Sequence, residues 1–169
     1  AEPEAVRIQA IRALATLGEA RAVAVLTRIV TASKVEANLQ LEALTALGAL
    51  RPAGSVDLLI DLASAPSPSI RAAALTALMR ADVDTFVTAI SGLDPDPHWS
   101  VRAALATAVG EMGKARAEAP LTSMLRDSDQ RVIPSVLAAL AKVGASNAAA
   151  VLQERLASDD PVVRAAAAR

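Results

Sequence analysis

A block of sequence recurs along the whole chain, once in every ~31 residues, which is the kind of period that repeat proteins keep. Each copy has a branched residue, often followed by Arg, and then an Ala- and Leu-rich stretch that ends at Gly or a substitute for it. We place the branched position of the successive copies at Val6, Glu36 (a degenerate copy), Ile70, Val101, Val132 and Val163. Because a single globular core has no reason to keep such a period, it predicts a stacked array of units that bury their apolar faces against their neighbours.

Apolar residues recur at helical spacing within each copy, as copy four illustrates. Its first stripe consists of Val101, Leu105, Val109 and Met112. Asp96-Pro97 predicts the start of this helix, because Asp accepts hydrogen bonds from free N–H groups and Pro fits the first turn. Gly113 is predicted to end it in the left-handed conformation. A second stripe follows after a short turn, so the unit is helix, tight turn, helix, loop.

The sequence therefore predicts an all-α fold, an α-solenoid of stacked antiparallel helix pairs. We expect one domain over residues 1–169, with repeats at approximately 3–33, 34–67, 68–97, 98–130 and 131–161 and a partial copy at 162–169. In copy five, Pro134 is expected near the first turn of its helix, where it bends the chain without breaking the helix. Because Ala165–Ala168 would leave an apolar terminal face where arrays normally carry a polar one, we expect a fragment of a longer protein.

Composition limits the chemistry that this chain can perform. No Cys is present, which removes disulfides and thiolate metal sites. The net charge is −1 and aromatic residues are 1 % of the chain, so a general nucleic-acid surface is not expected. Charges interrupt every apolar run before the roughly 18 residues that a membrane span needs. We therefore predict no catalytic, cofactor or metal site and no membrane or nucleic-acid partner, with the cytoplasm the favoured location.

The combination Asp-Pro, Val-Arg and Ala-Leu at these spacings resembles the short HEAT-like repeat of phycobilisome lyases. The best matches are Asp160-Pro161-Val162-Val163-Arg164, Ile70-Arg71-Ala72-Ala73-Ala74-Leu75 and Val101-Arg102-Ala103-Ala104. The resemblance implies a right-handed superhelix, with first helices on the convex side and second helices lining a concave groove. Tetratricopeptide and ankyrin arrays have similar periods, but their aromatic and Thr-Pro-Leu-His motifs are missing here.

Four arginines share the slot after the branched residue: Arg7, Arg71, Arg102 and Arg164. In such repeats this residue resembles a ladder position that bonds carboxylates or helix-end carbonyls of adjacent units. The prediction is a structural ladder, with ligand contact as the alternative.

His98-Trp99, before copy four, is the one place where the sequence leaves room for a different role. A single His makes neither a catalytic triad nor a metal site. We predict a loop His and a Trp99 that fills the seam between repeats three and four. The alternative is Trp99 as an anchor for a partner, because exposed Trp is enriched at binding hot spots.

To predict the residues that line the concave groove, we align the second helices of all copies on the position of Leu26 and select the residue that follows this position in each copy. That row is Thr27, Asp57, Ser91, Thr122 and Gln153, and with Trp99 these are the candidate partner-binding residues. Small polar residues suit an extended segment or a helix better than a small molecule. We therefore predict a non-enzymatic scaffold that binds a protein or peptide. The alternatives are the arm of a larger enzyme, such as a bacterial prolyl isomerase or a bilin lyase, and, less favoured, a nucleic-acid-binding protein; the sequence leaves the oligomeric state open.

Overall fold

The computed structural model describes residues 2–32, 34–92 and 94–169. Over these ranges the regular structure is helical throughout, with one short 3₁₀ helix at Ala20–Ala22 and no strand. The α-helices are α1 Glu4–Thr16, α2 Val23–Thr31, α3 Ala37–Leu50, α4 Val56–Leu62, α5 Pro68–Ala81, α6 Val83–Ser91, α7 Trp99–Val109, α8 Lys114–Met124, α9 Ile133–Val143, α10 Ala148–Arg155 and α11 Pro161–Ala167. The predicted all-α fold class is confirmed.

The helices stack in the order that the repeat predicts. Each of the first five copies contributes two helices, from α1 with α2 to α9 with α10, and α11 belongs to the sixth copy. Within each unit, the first helix of a copy packs against both helices of the copy before it: α3 contacts α1 and α2, α5 contacts α3 and α4, and α9 contacts α7 and α8. Each of these three seams is thus formed by three helices, which is how a repeat buries an apolar face that it cannot cover alone.

The chain forms two compact units, Ala1–Gly92 and Leu93–Arg169. Each has its own buried apolar residues, and Phe86 is the bulkiest fully buried side chain of the first unit. One cluster of the second unit contains Ile133, Leu137, Val163 and Ala167. The extent of the predicted single domain and its repeat boundaries stay predictions.

The second copy has a different register from the predicted one. Glu36 is exposed and immediately precedes α3, whereas Leu39 is buried in the way that Ile70 and Val101 are buried. With Leu39 in the branched slot, equal steps along the chain connect the slots of copies two to six: Leu39, Ile70, Val101, Val132 and Val163. Only the step from Val6 to Leu39 is longer, by two residues. The additional length lies in the second helix, because α2 ends two residues later in its copy than α4 does, while the loops that follow α2 and α4 are equally long.

Two glycines set the closest approach between successive first helices. A Cβ atom built on Gly48 in α3 would lie 2.8 Å from the Cβ of Ala77 in α5. A Cβ atom on Gly110, which ends α7, would lie 2.9 Å from the Cβ of Ala139 in α9. The two pairs occupy equivalent positions of copies that lie two repeats apart, so the glycine is a packing residue here, and α3 continues past Gly48 to Leu50.

Gly48→Val is expected to lower the free energy of unfolding by about 2 kcal/mol, because the new side chain must displace α5. Ala49→Val is the matched control, since Ala49 is exposed on the same helix and should lose only about 0.5 kcal/mol of helix propensity. Urea unfolding of both variants measures the difference. Equal losses would mean that α3 and α5 do not approach this closely in solution.

The predicted helix start at Asp-Pro is correct in one copy and wrong in another. Asp160 caps α11 by accepting hydrogen bonds from the N–H groups of Val162 and Val163. In copy four the chain is two residues longer between the Asp-Pro pair and Val101, so α7 begins at Trp99 and His98 is its N-cap. Asp96 instead accepts a hydrogen bond from the backbone N–H of His98, at 2.8 Å.

One further helix end differs from prediction, one proline lies where it was predicted, and another proline was not predicted. Gly113 does have a positive φ, of 81°, but α7 has already ended at Val109, and Gly113 precedes α8. Pro134 lies in the first turn of α9, as predicted. Pro120 lies inside α8, a position that the repeat pattern did not predict; lacking an N–H group, it leaves one carbonyl of the preceding turn without its helical hydrogen bond.

Candidate functional site: the arginine ladder and the second-helix face

Arg102 forms a largely buried ion pair with Asp127. Its Nε and Nη2 atoms donate to the two carboxylate oxygens of Asp127, at 2.6 and 2.9 Å, and the two side chains are only 14 % and 10 % exposed. Its Nη1 atom donates to the carbonyl oxygen of Asp96, at 2.7 Å. Arg102 therefore links the loop before its own copy to the loop after it.

The hydrogen bonds from Arg102 hold the pKa of Asp127 below its usual value, and the backbone N–H of Asp129 contributes in the same direction against the opposing effect of partial burial. The side-chain and backbone hydrogen bonds from Arg131 lower the pKa of the neighbouring Asp129 to about 2. Both carboxylates are therefore ionised at neutral pH and serve as acceptors.

The other ladder arginines keep the carbonyl contact or the carboxylate contact. Arg71 donates to the carbonyl oxygens of Ala65 and Pro66, at 2.9 and 3.0 Å. Arg164 repeats this arrangement on Ser158 and Asp159, while Arg7 donates to Glu36, at 2.7 Å. All four arginines thus form hydrogen bonds within the protein. That one of them contacts a ligand stays an alternative prediction.

Two ladder positions were not predicted, because they are not arginine. In the corrected register the slot of copy two is Gln40, whose Nε2 atom donates to the carbonyl oxygen of Val30, at 2.7 Å. The slot of copy five is Ile133, which is buried in the apolar cluster of the second unit. The signal that would have found Gln40 is the spacing from Leu39 to Ile70, which equals the spacing of the later copies.

The residue type in a ladder slot correlates with the residue type at one later position, which lies at the same distance along the chain in each of copies two to five, in the loop before the next copy. For Arg71 and Arg102 this later position holds Asp96 and Asp127, whereas for Gln40 and Ile133 it holds Ala65 and Ser158. A carboxylate is therefore present where a guanidinium is present, in copies two to five. Of these combinations, Arg102 and Asp127 form a described ion pair, in which each largely buried charge has the partner that offsets the cost of its burial.

Trp99 is half-buried at the start of α7, and its described contacts are with a cation and a neighbouring ring. The guanidinium of Arg131 lies over the indole, 4.6 Å from the ring centroid, and the ring of His98 is stacked 6.0 Å away. Asp129 holds Arg131 in place through two side-chain hydrogen bonds. Trp99 thus contacts copy five; its predicted place in the seam between copies three and four stays a prediction.

In the first unit, the predicted groove row is corrected at one position. Thr27 is half-buried on α2, and Ser91 is exposed at the end of α6. The buried leucine of α4 that matches Leu26 is Leu59, so the row continues through Ile60, which is 39 % exposed, and not through Asp57. Asp57 lies in the first turn of α4, exposed, and its role as a contact residue stays a prediction.

In the second unit, the two row residues differ in what surrounds them. Thr122 in α8 accepts a hydrogen bond from the side-chain amide of Asn147, at 3.3 Å, and so joins α8 to the start of α10. Glu118, one turn earlier, accepts from the backbone N–H of Ser146, at 2.7 Å. Gln153 is exposed on α10 and available to a partner. Thr122 is thus partly occupied by the fold, whereas Gln153 is open.

Neither a metal cluster nor a membrane span is found in the described ranges. No group of three or more His, Asp or Glu side chains within 2–32, 34–92 and 94–169 is placed to hold a metal ion. The helices over the same ranges are too short or too polar to cross a bilayer.

Residues 83–169 match the family model of HEAT repeats, which is more than half of the chain, and the chain therefore belongs to the HEAT repeat family. Among solved structures, the chain is similar to one chain in the structure of the complex of CpcE and CpcF of phycocyanin lyase from Nostoc sp. PCC7120. The two are 22 % identical with a TM-score of 0.64, over 99 % of this chain and 70 % of that one, a likeness of fold. No curated protein sequence matches the chain.

Proposed function

We propose that this protein is a non-enzymatic scaffold that binds a protein segment along the second helices of its repeats. The supporting observation is the composition of that face within each unit: exposed small polar side chains, such as Ser91 and Gln153, with the exposed Ile60 among them. Main-chain groups of a bound segment can hydrogen-bond to such side chains, and an isolated apolar residue adds contact area. The phycocyanin lyase structure, a complex of two proteins, is consistent with a protein partner.

A photo-crosslinking residue placed at Gln153 tests this proposal in cells of the source organism. The matched control is the same residue at Ala138, which is exposed on the first helix α9 of the same unit. We expect one protein to be captured from position 153 and not from 138. Equal capture from both positions, or none from 153, would argue against a second-helix binding face.

The captured partner, once purified, allows a quantitative check of the same face. Gln153→Arg is expected to weaken binding at least tenfold, about 1.4 kcal/mol, because a long cation replaces a neutral amide. Ala138→Arg should leave the affinity unchanged. An affinity that Gln153→Arg does not alter would place the binding surface elsewhere.

A second candidate is the helical arm of a lyase-type assembly, and the similarity to the phycocyanin lyase structure is what favours it. Trp99 is the single Trp of the chain, so its fluorescence reports binding in the second unit without interference. Under this candidate, a free bilin titrated into the protein should quench Trp99 saturably and change its own visible absorption. Under the scaffold proposal, the bilin does not bind, and Trp99 fluorescence should fall only by the amount of light that the added pigment absorbs.

A further inference from the structure

Ile60 is an exposed apolar residue in an inner copy of the repeat. Over residues 2–32, 34–92 and 94–169, the other exposed large apolar side chains belong to the first copy or to the last two: Val6, Leu17, Val25, Leu156 and Val162. Ile60 lies on α4 in copy two and is 39 % exposed. Copies precede and follow it along the chain, so its exposure does not come from a place in the first or last copy.

Two carboxylates lie beside Ile60 on the same helix. Asp57 precedes it by three residues and Asp61 follows it directly, and residues three and four apart on a helix are neighbours on one side. Both carboxylates are exposed, α4 contains no Lys or Arg, and neither Asp has an ion-pair partner among the described residues. We call Asp57, Ile60 and Asp61 the α4 patch.

Asp61 lies at an unfavourable end of its helix. α4 spans Val56–Leu62, so Asp61 is in the last turn, where the helix dipole has its negative end and a carboxylate is repelled. By contrast, Asp57 is in the first turn, where a carboxylate is stabilising. A residue that opposes local stability without a compensating contact is typical of a functional surface.

We propose that the α4 patch binds a protein segment in which a Lys or Arg adjoins an apolar residue. The inference rests on the proposed function and adds to it the chemistry of the bound segment. The apolar side chain of the segment covers Ile60, while its cation pairs with Asp57 and Asp61, an arrangement that matches charge as well as polarity. The same carboxylates repel the phosphates of nucleic acids and of anionic lipid surfaces, so a cationic protein segment fits better than either.

Two fluorescent peptides of equal length test the proposal by anisotropy. One consists of Lys, Leu and Gly, and the other has Glu in place of every Lys. We expect the protein to bind the Lys peptide at least tenfold more tightly, and the double variant Asp57→Asn/Asp61→Asn to lose roughly tenfold in affinity for it. Ile60→Ser should also weaken binding. Equal affinities for the two peptides, or an unchanged affinity in the double variant, would overturn the proposal.

Arg28→Gln is the matched control, because Arg28 is exposed on α2, the second helix of the preceding copy. This variant removes a cation from the second helices of the same unit and should not weaken binding of the Lys peptide. Raising the salt concentration from roughly 0.05 M to 0.5 M should weaken binding, because exposed charges are screened. Weaker binding by Arg28→Gln, or an affinity that salt does not change, would contradict recognition by the two carboxylates.

The melting temperature of Asp61→Asn separates binding from folding. The substitution removes a repelled charge from the end of α4, so the variant should melt at or above the temperature of the wild type. It should nevertheless bind the Lys peptide more weakly. A lower melting temperature would show that Asp61 stabilises the fold and would overturn the argument for a functional role.

The partner captured from Gln153 distinguishes this inference from the proposed function. If that partner binds the wild type and Asp57→Asn/Asp61→Asn equally well, the scaffold function stands and the α4 patch is not its binding site. If nothing is captured from Gln153 while the Lys peptide binds and requires both carboxylates, the α4 patch stands and the proposed binding face of the second unit fails.

Discussion

Phe86→Ala is expected to lower the free energy of unfolding of the first unit by about 4 kcal/mol, the largest stability effect that we anticipate. Phe86 is fully buried in α6. Its removal forfeits the transfer free energy of an aromatic ring and leaves a cavity that neighbouring helices fill only in part. Urea unfolding, compared with Thr88→Ala on an exposed site of the same helix, measures the loss; the control should change stability by less than about 0.5 kcal/mol.

The residues that other copies carry at the position of Phe86 provide a second possible outcome for Phe86→Ala. Where copy three has Phe86, the other copies carry buried small residues: Ala22, Ser55, Ala117 and Ala148. If copy three could close around an alanine as those copies do, the loss would fall to about 1 kcal/mol. That outcome would contradict a packing arrangement built around the ring.

Arg102→Ala is expected to cost about 3 kcal/mol in the second unit. The substitution removes two hydrogen bonds to Asp127 and one to the carbonyl of Asp96, and it leaves a carboxylate that is only 10 % exposed without its cation. Arg126→Ala is the matched control, since Arg126 is exposed beside Asp127 and should contribute less than about 0.5 kcal/mol. A melt of Arg102→Ala that matches the control would show that the slot is solvated and idle.

The pH dependence separates this ion pair from simple loss of packing. Because the pKa of Asp127 is lowered in the folded protein, its contribution is complete above the unfolded value, near pH 4, and is lost as the pH falls through the folded value. As the pH falls below about 4, the wild type should therefore lose more stability than Asp127→Asn does. Parallel acid-unfolding profiles of the two proteins would show that the pair is not formed in solution.

The helical class and the period were predictable because they rest on what all copies share, the spacing of branched and small apolar residues. The register of copy two was not, because this copy lacks the Val-Arg pair and Glu36 lies close to where that pair is expected. Leu39 and Gln40 satisfy the same physical needs with other side chains: an apolar residue in the seam and a donor for a loop carbonyl.

The remaining errors arose where the usual role of a residue type differs from the role that its surroundings give it. Asp96 is a good cap by residue type, yet two additional residues move the helix start to Trp99 and leave His98 at the cap. Gly48 fits a helix end by residue type, but its missing side chain is needed for contact with Ala77 from another copy. The groove residues follow the same misplaced register, so Asp57 stands in the predicted row in place of Ile60.

The ion pair between the ladder residue Arg102 and the later Asp127 has a consequence for how such a chain can lengthen. A duplicated segment that carries Arg102 together with Asp127 inserts a neutral, self-sufficient pair. A breakpoint between the two residues would leave one of them largely buried without its ion-pair partner, and this would destabilise the lengthened chain. Gene-level duplication, natural or engineered, is therefore expected to succeed when the junction falls just after the aspartate.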